Sequence, residues 1–283
     1  MKFAVIGATG YIGRHLISIL IAQGHSVIAV VRDIHKNFPL KEKCTVIESG
    51  DNQLYSLIKS REIDSLIYLA WGELDNYNSF RHINYELEFH FDFISSLIDA
   101  GLKSLIVSGT CLEYGKQSGE LSENMKVKPE NFYAIAKNEL RKRLVKLQSN
   151  YNFNLVWTRI FYIYGDDQGD RTLFGQIQNA IENKDKTFNM SKGDQTRDYI
   201  SIDKLSEVLS RLLVLRKNIG IINVCSGIPK SVKSLVEDWL DEKSYQMKLN
   251  TGFYSYNDYE PLHFWGNSDK LNLILERTLE DKE

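Results

Sequence analysis

The feature that most constrains this chain is a glycine-bearing turn between a predicted strand and a predicted helix near its start. The turn reads Gly7-Ala8-Thr9-Gly10-Tyr11-Ile12-Gly13. The apolar run 3–6 predicts a buried strand before the turn, and the apolar positions within 16–21 predict a helix after it. Gly24 suits the end of that helix, and a second apolar run at 27–31 completes a β-α-β unit.

A glycine turn in this setting suits a pyrophosphate group. Glycines allow a tight turn and a close approach of the backbone to the phosphates, and the N-terminus of the next helix offers free N–H groups and a partial positive charge. Because the β-α-β context is complete, the turn predicts a dinucleotide-binding site in preference to a turn without a ligand. The cofactor contacts predicted in the turn are Gly7, Thr9, Gly10, Tyr11, Ile12 and Gly13.

Strand-like apolar runs alternate with helical patterns through the first half of the chain. Strands are predicted at 3–6, 27–31, 45–47, 65–70, 105–107 and 155–160, and helices at 54–59, 79–100 and 132–148. This alternation predicts an α/β fold built on a Rossmann-type, doubly wound parallel sheet. The ligand crevice of such a sheet is expected at the carboxyl ends of its strands.

The alternation becomes less regular after residue 161, and the composition becomes more aromatic. A helix at 203–215 and a late strand at 220–224 are expected to return to the sheet. The remainder predicts a smaller substrate-binding lobe over the crevice. The predicted division is 1–161 plus about 200–225 for the dinucleotide-binding domain, and 162–199 plus about 226–283 for the lobe.

Composition narrows the classes of partner and compartment. The 283 residues carry 35 Lys and Arg against 37 Asp and Glu, a formal net charge of −2, so neither nucleic acid nor an anionic membrane is expected as a partner. The three cysteines, Cys44, Cys111 and Cys225, have no CxxC spacing, which argues against a disulfide framework and against a metal site. With no apolar run of membrane-spanning length and a first strand that leaves no room for a signal peptide, we expect a cytoplasmic protein.

A hydroxyl residue and a Tyr/Lys pair follow the fifth predicted strand. Thr110 ends that strand, and Tyr133 and Lys137 are four residues apart at the start of the next long helix, so the two share a helix face. A lysine ammonium beside the phenol is expected to lower the pKa of Tyr133 from about 10 toward the range useful to a general acid or base. Thr110 could hydrogen-bond the same substrate oxygen. Such a pair occurs by chance in many helices, but its place after a dinucleotide turn favours a catalytic role.

With these residues in place, the chain resembles the extended short-chain dehydrogenases/reductases, a family that includes nucleotide-sugar epimerases, dehydratases and ketoreductases. The resemblance covers most of the chain. It rests on Gly7, Gly10, Gly13, Asn84, Thr110 with Tyr114-Gly115, Tyr133 with Lys137, Arg159 followed by Tyr164-Gly165, Arg197-Asp198-Tyr199-Ile200 with Asp203, and Asn223-Val224.

The resemblance implies a role for each matched residue. Tyr133 is the proton donor or acceptor, Lys137 binds the nicotinamide ribose and tunes Tyr133, and Thr110 orients the substrate carbonyl. Arg197 is placed beside the nucleotide phosphates of the substrate, with a salt bridge to a neighbouring Asp as the alternative. Further cofactor contacts are expected from Asp51, Leu69 and Ala70, and further substrate contacts from Trp71, Cys111 and Glu113.

The two residues after Thr110 bear on the reaction. In the family's sugar dehydratases these positions are typically Asp and Glu, the acid and base that eliminate water, whereas here they are Cys111 and Leu112. Leucine cannot move a proton, so a dehydratase is disfavoured. Glu113, one position further on, is interpreted as a structural residue or a contact to a substrate hydroxyl. Cys111 is interpreted as a packed thiol in preference to an epimerisation base.

The end of the second predicted strand bears on the choice of cofactor. An acidic residue there binds the ribose 2′-hydroxyl of NAD, whereas a neutral residue with an Arg accommodates the 2′-phosphate of NADP. The acidic position falls on Val31 and the next residue is Arg32, which predicts NADP(H) as the preferred cofactor, with Arg32 bound to its phosphate. Asp33 keeps NAD(H) possible, because a one-residue shift in the turn would bring its carboxylate to the ribose.

An NADPH preference suits net reduction, because the oxidised cofactor leaves and is exchanged. Together with the resemblance, it predicts a ketoreductase that acts on a dTDP- or CDP-linked 4-keto-6-deoxy sugar, in deoxysugar biosynthesis for surface polysaccharides such as O-antigen. A 4-epimerase with tightly held NAD is the alternative, and a non-catalytic NADP-sensing module is a third. Relatives in the family commonly pair two long helices from each subunit, so the helices at 79–100 and 132–148 predict a homodimer.

Overall fold

The computed structural model describes residues 1–36, 38–256 and 260–280, with side chains described as far as residue 277. The strands are β1 (Lys2–Ile6), β2 (Ser26–Val31), β3 (Thr45–Glu48), β4 (Ser65–Tyr68), β5 (Ser104–Thr110), β6 (Gly119–Leu121), β7 (Asn154–Ile160), β8 (Tyr162–Tyr164), β9 (Thr187–Asn189), β10 (Thr196–Ser201), β11 (Gly220–Val224), β12 (Pro229–Ser231), β13 (Lys248–Asn250) and β14 (Phe264–Gly266). The α-helices are α1 (Tyr11–Ala22), α2 (Asn52–Lys59), α3 (Leu87–Asp99), α4 (Phe132–Leu147), α5 (Leu173–Glu182), α6 (Ile202–Leu215), α7 (Val232–Glu242) and α8 (Asp269–Glu280).

The main sheet is parallel throughout and confirms the predicted α/β fold. Within the described ranges it has seven strands in the order β11-β7-β5-β4-β1-β2-β3. The register places Phe3 of β1 between Val27 of β2 and Ser65 of β4. Because successive strands run outward in opposite directions from β1, the order reverses between β1 and β4, and a crevice opens at their carboxyl ends.

Helices cover both faces of this sheet. On one face α1, α6 and α8 bury an apolar cluster that includes Leu16 and Leu205, and on the other face α2, α3 and α4 bury a second cluster that includes Ile94 and Leu140. Strands buried on both faces need apolar side chains in both directions. This requirement explains why the strands appear in the sequence as unbroken apolar runs.

In the described part of the chain, three small sheets accompany the main one. Their strand orders are β12-β10-β8, β13-β9 and β14-β6. A separate apolar cluster lies between α5 and α7, with the Phe174 and Trp239 rings 5.0 Å apart. The predicted domain boundaries stay a prediction, and the lobe range 226–283 includes 257–259 and 281–283, which lie outside the described residues.

Asp198 of β10 forms hydrogen bonds that join parts of the small sheets that are distant in sequence. Its side chain is fully buried and accepts hydrogen bonds from the Ser226 N–H and hydroxyl at 2.7 Å each, from the Gly227 N–H at 2.9 Å and from the Gly266 N–H at 3.2 Å. A buried carboxylate needs several donors to offset the loss of its water. This one residue therefore joins β10, the loop after β11 and β14.

Candidate active site

The glycine turn is built so closely that side chains are excluded from it. Gly7 has a φ of +87°, and the Gly10 N–H donates to the Gly7 carbonyl at 3.0 Å. A Cβ added at Gly13 would lie 2.3 Å from that same carbonyl oxygen, and one added at Gly7 would lie 2.9 Å from the Ala70 nitrogen. The turn therefore requires glycine at these positions and leaves its outer face to a ligand.

The first turn of α1 is suited to an anion. Its N-cap is Gly10, which supplies no side-chain hydrogen bond, so the first N–H groups of the helix are not capped by that residue. Thr9 is exposed beside it, and Tyr11 and Ile12, the first residues of the helix, are half-buried. These features fit the pyrophosphate of a dinucleotide.

The walls of the crevice come from the ends of the neighbouring strands. Leu69, whose N–H donates to the Ile6 carbonyl at 2.9 Å, and Ala70 follow β4 and lie against the glycine turn. After β3, Asp51 caps α2 and accepts a hydrogen bond from the Gln53 N–H at 2.8 Å. All three thus lie at the carboxyl edge of the sheet, where the sequence predicts cofactor contacts.

Arg32 and Asp33, which follow β2, differ in their surroundings. Arg32 comes directly after the strand and is exposed. Asp33 begins a turn, and its Oδ1 accepts the His35 N–H at 2.9 Å. One carboxylate oxygen is thus engaged in local structure, whereas the guanidinium lies in solvent.

The structure brings Lys137 and Tyr133 to the carboxyl end of β5. Asn131 caps α4 by accepting the Ala134 N–H at 2.8 Å, which fixes where the helix begins. The Lys137 ammonium is buried, donates to the Ser108 carbonyl at 2.9 Å, and lies 5.9 Å from the centre of the Tyr133 ring.

The expected effect of the lysine on the phenol is wrong for this structure. Burial raises the pKa of Tyr133, and the charges of Glu113 and other nearby groups raise it further. Burial also lowers the pKa of Lys137 to about 7, against the opposing effect of Glu113 and Glu86. A lysine that is itself deprived of water carries less charge at neutral pH, so it does not offset the desolvation of the phenol. Tyr133 is therefore a protonated group, suited to donating a proton.

Thr110 lies where the sequence predicts it, as the last residue of β5. It is buried, and its Oγ1 accepts the Leu112 N–H at 3.2 Å, which caps a short 3₁₀ turn at Cys111–Tyr114. The hydroxyl proton of Thr110 is not used in this bond. It is available to a carbonyl oxygen placed between Thr110 and Tyr133.

Glu113 is a structural residue in this fold. It is fully buried, and its two oxygens accept hydrogen bonds from the Thr110 N–H at 3.1 Å, the Trp157 indole N–H at 2.8 Å and the Arg159 Nε–H at 3.0 Å. A Cβ at Gly109 would lie 2.6 Å from its Oε1. Of the two predicted roles, the structural one matches these contacts, because the carboxylate points into the sheet.

Cys111 is a packed thiol. It belongs to an apolar cluster with Phe161, Phe264 and Cys225, and burial raises the pKa of its thiol far above the ordinary value. A neutral thiol cannot serve as a base at neutral pH. The preferred interpretation of Cys111 as a packing residue is therefore the one its surroundings support.

Arg197 lies in β10 and forms an ion pair, but not with a neighbouring Asp. Its Nη2 donates to Glu260 at 3.0 Å, its Nη1 donates to the Leu262 carbonyl at 2.9 Å, and the Tyr162 hydroxyl donates to the same Glu260 carboxylate. The neighbouring Asp198 is engaged elsewhere, so that alternative is wrong. The place of Arg197 beside substrate phosphates stays a prediction.

The helical segment directly before α3 differs from the predicted regular helix. Residues His82–Glu86 form a π-helical turn, so the predicted helix 79–100 begins later and is locally wider. One additional residue in the turn rotates the following side chains, and π turns are frequent at functional sites. Here Asn84, one of the residues that carry the family resemblance, is exposed, while His82 and Glu86 are buried.

The π turn assembles a buried polar cluster that sequence reasoning missed. Trp71, a predicted substrate contact, lies in the loop after β4 and packs edge-on against the Tyr133 ring at 6.0 Å. Around it lie His82, Glu86 and His90. Glu86 and His90 are four residues apart and share a helix face, and this spacing is the sequence signal of the cluster.

The described residues contain neither a metal-binding cluster nor a membrane-spanning helix. Across 1–36, 38–256 and 260–280, no group of three His, Cys, Asp or Glu side chains could hold a metal ion. In the same part of the chain, the helices are all too short or too polar to cross a membrane.

Comparison with known proteins is consistent across sequence and structure. The model of the NAD dependent epimerase/dehydratase family matches residues 3–225. A dTDP-6-deoxy-L-talose 4-dehydrogenase (NAD(+)) of Aggregatibacter actinomycetemcomitans is 30% identical over 273 residues, covering 94% of this chain and 99% of the relative. The CDP-abequose synthase of Salmonella typhimurium is 24% identical, covering 76% of this chain and 71% of its own.

Among solved structures, a UDP-glucose-4-epimerase from Stenotrophomonas maltophila with bound NAD and formylated UDP-arabinopyranose superposes with a TM-score of 0.83. It is 18% identical and the alignment covers 98% of this chain and 91% of that one. At this sequence identity the structural match shows a shared fold and nothing more.

Proposed function

Because the chain belongs to the NAD dependent epimerase/dehydratase family, we propose that it reduces the 4-keto group of a dTDP- or CDP-linked 4-keto-6-deoxy sugar with NADPH. The observation that carries this proposal is the arrangement of Thr110, Tyr133 and Lys137 at the strand edge beside the glycine turn. The loop after Thr110 offers no second proton-transfer group, since Cys111 is a buried neutral thiol and residue 112 is leucine. One proton donor and one hydride donor are what a ketoreduction needs.

The names of two relatives support the sugar position and class. A 4-dehydrogenase of a dTDP-linked 6-deoxy sugar interconverts an alcohol and a ketone at carbon 4, so its reverse direction is a 4-ketoreduction. The name of the second relative specifies a CDP-linked sugar product. Deoxysugar synthesis for a surface polysaccharide such as O-antigen is the setting that we propose.

The residues divide the reaction between them. When bound, the reduced nicotinamide supplies the hydride that adds to the keto carbon. The Tyr133 hydroxyl, which burial keeps protonated, donates its proton to the carbonyl oxygen as the alcohol forms. Thr110 donates a hydrogen bond to that oxygen and polarises the carbonyl. Lys137, fixed by its bond to the Ser108 carbonyl, holds the nicotinamide ribose.

The decisive assay follows nicotinamide absorbance with NADPH and each of the dTDP- and CDP-linked 4-keto-6-deoxyhexoses. Wild type should consume NADPH, and Tyr133→Phe, which keeps the ring and removes the proton, should lose roughly a hundredfold or more of that rate. If no keto sugar gives consumption above the Tyr133→Phe background, the reductase proposal is wrong.

For the cofactor we propose a preference for NADP(H) over NAD(H). The exposed guanidinium of Arg32 supports it, as does the engagement of Asp33 with the His35 N–H. The name of the 30% identical relative specifies NAD(+), which supports the opposite preference. Arg32→Ala should raise the KM for NADPH by roughly tenfold and leave the KM for NADH unchanged. Equal effects on the two cofactors would contradict the proposed role of Arg32.

Two alternatives predict different results in the same assays. A 4-epimerase would co-purify with NAD and would interconvert intact nucleotide sugars without net cofactor consumption. An NADP-sensing module would bind NADPH and a protein partner without turnover, whether or not Tyr133 is present.

We also propose that the protein is a homodimer through the helices of residues 82–99 and α4. Large apolar side chains are exposed on these helices, with Tyr85 and Phe89 stacked 5.8 Å apart and about half exposed, and with Val145 exposed on α4. A second copy of the same pair of helices would bury them in a four-helix interface. Light scattering that shows a monomer at working concentration would exclude this assembly.

A further inference from the structure

The indole of Trp71 contacts both the lysine of the site and a buried histidine. The Lys137 ammonium is 4.2 Å from the centre of the Trp71 ring, on one of its faces. On this ring stacks His90, with centroids 4.5 Å apart and planes inclined by 23°. Lys137 and His90 therefore both stack on the Trp71 indole, and His90 is 3% exposed.

Hydrogen bonds fix the tautomers of both histidines around this stack. The Trp71 indole N–H donates to Nδ1 of His82 at 3.1 Å, so the proton of that imidazole is on Nε2, which donates to the Asn76 carbonyl at 3.0 Å. The Glu86 carboxylate only accepts, so the ring proton of His90 is on Nε2, and Nδ1 of His90 accepts a hydrogen bond from the Tyr68 hydroxyl at 2.6 Å. Burial lowers the pKa of His90 to about 4, and both partners are consistent with a neutral ring.

The carboxylate of Glu86 stabilises this arrangement through three hydrogen bonds. Its Oε2 accepts the His90 Nε2–H at 3.1 Å and the Gly72 N–H at 3.2 Å, and its Oε1 accepts the Arg81 Nε–H at 3.0 Å. The Gly72 bond fixes the backbone directly after Trp71. A Cβ at Gly72 would lie 2.6 Å from Oε1, so only glycine permits this approach.

We propose that Glu86 is a positioning residue for the Tyr133–Lys137 pair: through His90 and the Gly72 backbone it fixes Trp71 against the Lys137 ammonium, and it supplies a negative charge that this ammonium faces. This inference deepens the proposed reductase function and rests on it for its catalytic consequence. It assigns a role to the π turn, which places Glu86 on the buried side of the helix while Asn84 is exposed.

Titratable groups from several elements face Lys137. The titratable groups that face it are Tyr133 on its own helix, Glu113 after β5, and Glu86 and His90 on the helix of residues 82–99. Glu113 is neutralised inside the protein by Arg159, whose side chain is 1% exposed. The cation beside Glu86 is Arg81, whose side chain is 51% exposed, so solvent screening lets it compensate the charge of Glu86 only in part.

The first test measures the titration of Lys137 without any need for activity. Protein labelled with ¹³C at lysine Cε is titrated by NMR, and the Lys137 resonance is assigned as the one missing from Lys137→Arg. Glu86→Gln should move the Lys137 midpoint down by roughly 0.5–1 pH unit, because the amide keeps the size but not the charge. Glu86→Asp should return most of that shift. Glu62→Gln removes an exposed carboxylate that pairs with Lys2, and it should leave the midpoint unchanged.

A second variant, for which the expected shift of the Lys137 midpoint is upward, tests the proposal if Glu86→Gln does not fold. Arg81→Gln removes the exposed cation and should raise the Lys137 midpoint, because the charge of Glu86 is then less compensated. A midpoint that moves in neither Glu86→Gln nor Arg81→Gln would overturn the inference, and so would a shift in the reverse direction in either variant.

The second test is the pH profile of kcat with NADPH and the keto sugar that wild type reduces. Because catalysis needs the Lys137 ammonium, the alkaline limb in Glu86→Gln should move to lower pH by the same amount as the NMR midpoint, whereas a merely structural effect would lower kcat at all pH values. If wild type reduces no sugar, the proposed function fails, and the NMR titration still decides whether Glu86 sets the charge of Lys137.

Discussion

Replacing Lys137 with Met should raise the free energy of unfolding at neutral pH, and the gain should shrink as the pH rises. The residue is 1% exposed, and burial lowers the pKa of Lys137 from 10.5 in water to about 7. Between these values the unfolded chain binds a proton that the folded protein lacks. The free energy of unfolding of wild type therefore increases with pH across this window, whereas the Met variant lacks the group that causes the increase.

The size of the effect follows from the width of the window. Each pH unit between the two pKa values contributes about 1.4 kcal/mol. Between about pH 7 and about pH 9.5, wild type should gain about 3 kcal/mol relative to Lys137→Met. The lost hydrogen bond to the Ser108 carbonyl adds about 1 kcal/mol of destabilisation to the variant, but this contribution hardly changes with pH.

Urea unfolding at several pH values across this window measures the difference directly. Lys142→Met provides the matched control, because Lys142 is on the same helix and its side chain is 58% exposed. The control should follow wild type at every pH. A difference between wild type and Lys137→Met that stays constant with pH would refute the reasoning, since it would mean that Lys137 keeps its proton in the folded protein throughout.

Gly13→Ala should abolish cofactor binding in calorimetry with NADPH and NADH, because its Cβ would lie 2.3 Å from a backbone oxygen of the turn, while Gly169→Ala, with nothing within 4 Å, should bind normally. Glu113→Gln should lower the free energy of unfolding by about 3 kcal/mol in urea, because it leaves a buried guanidinium without its counter-charge; an unchanged midpoint would argue against the structural role. Cys111→Ala should keep kcat within about twofold of wild type, since a neutral buried thiol transfers no proton. A loss of kcat as large as that of Tyr133→Phe would instead support the interpretation of Cys111 as an epimerisation base.

Much of the fold could be predicted because its signals are local. The predicted strand at 220–224 coincides with β11, and the predicted helix at 132–148 ends one residue beyond α4. Buried parallel strands require unbroken apolar runs, and those runs are visible without any knowledge of their neighbours. The same locality brought Tyr133 and Lys137 to one helix face, although their roles stay predictions.

What could not be predicted depends on residues that are distant in sequence. The partners that make Glu113 structural, Trp157 and Arg159, are 44 and 46 residues away. The protonation of Tyr133 depends on burial by several elements, so the spacing to its lysine gave the wrong direction for its pKa. The π turn needs one inserted residue in an otherwise helical pattern, and hydrophobic periodicity does not reveal such an insertion.

Asp198 has a consequence for the order in which the protein can be completed during synthesis. One of its hydrogen bonds comes from Gly266, 68 residues further along the chain. Once β11 has been translated, the parallel sheet has all its strands, but until Gly266 is made a buried carboxylate next to Arg197 lacks a donor that it has in the finished fold. A nascent chain stalled before Gly266 should therefore have every strand of the main sheet without the complete set of hydrogen bonds that joins β10 to β14. Completion of the fold around Asp198 would then depend on the last residues to be translated, and not on the glycine turn near the start of the chain.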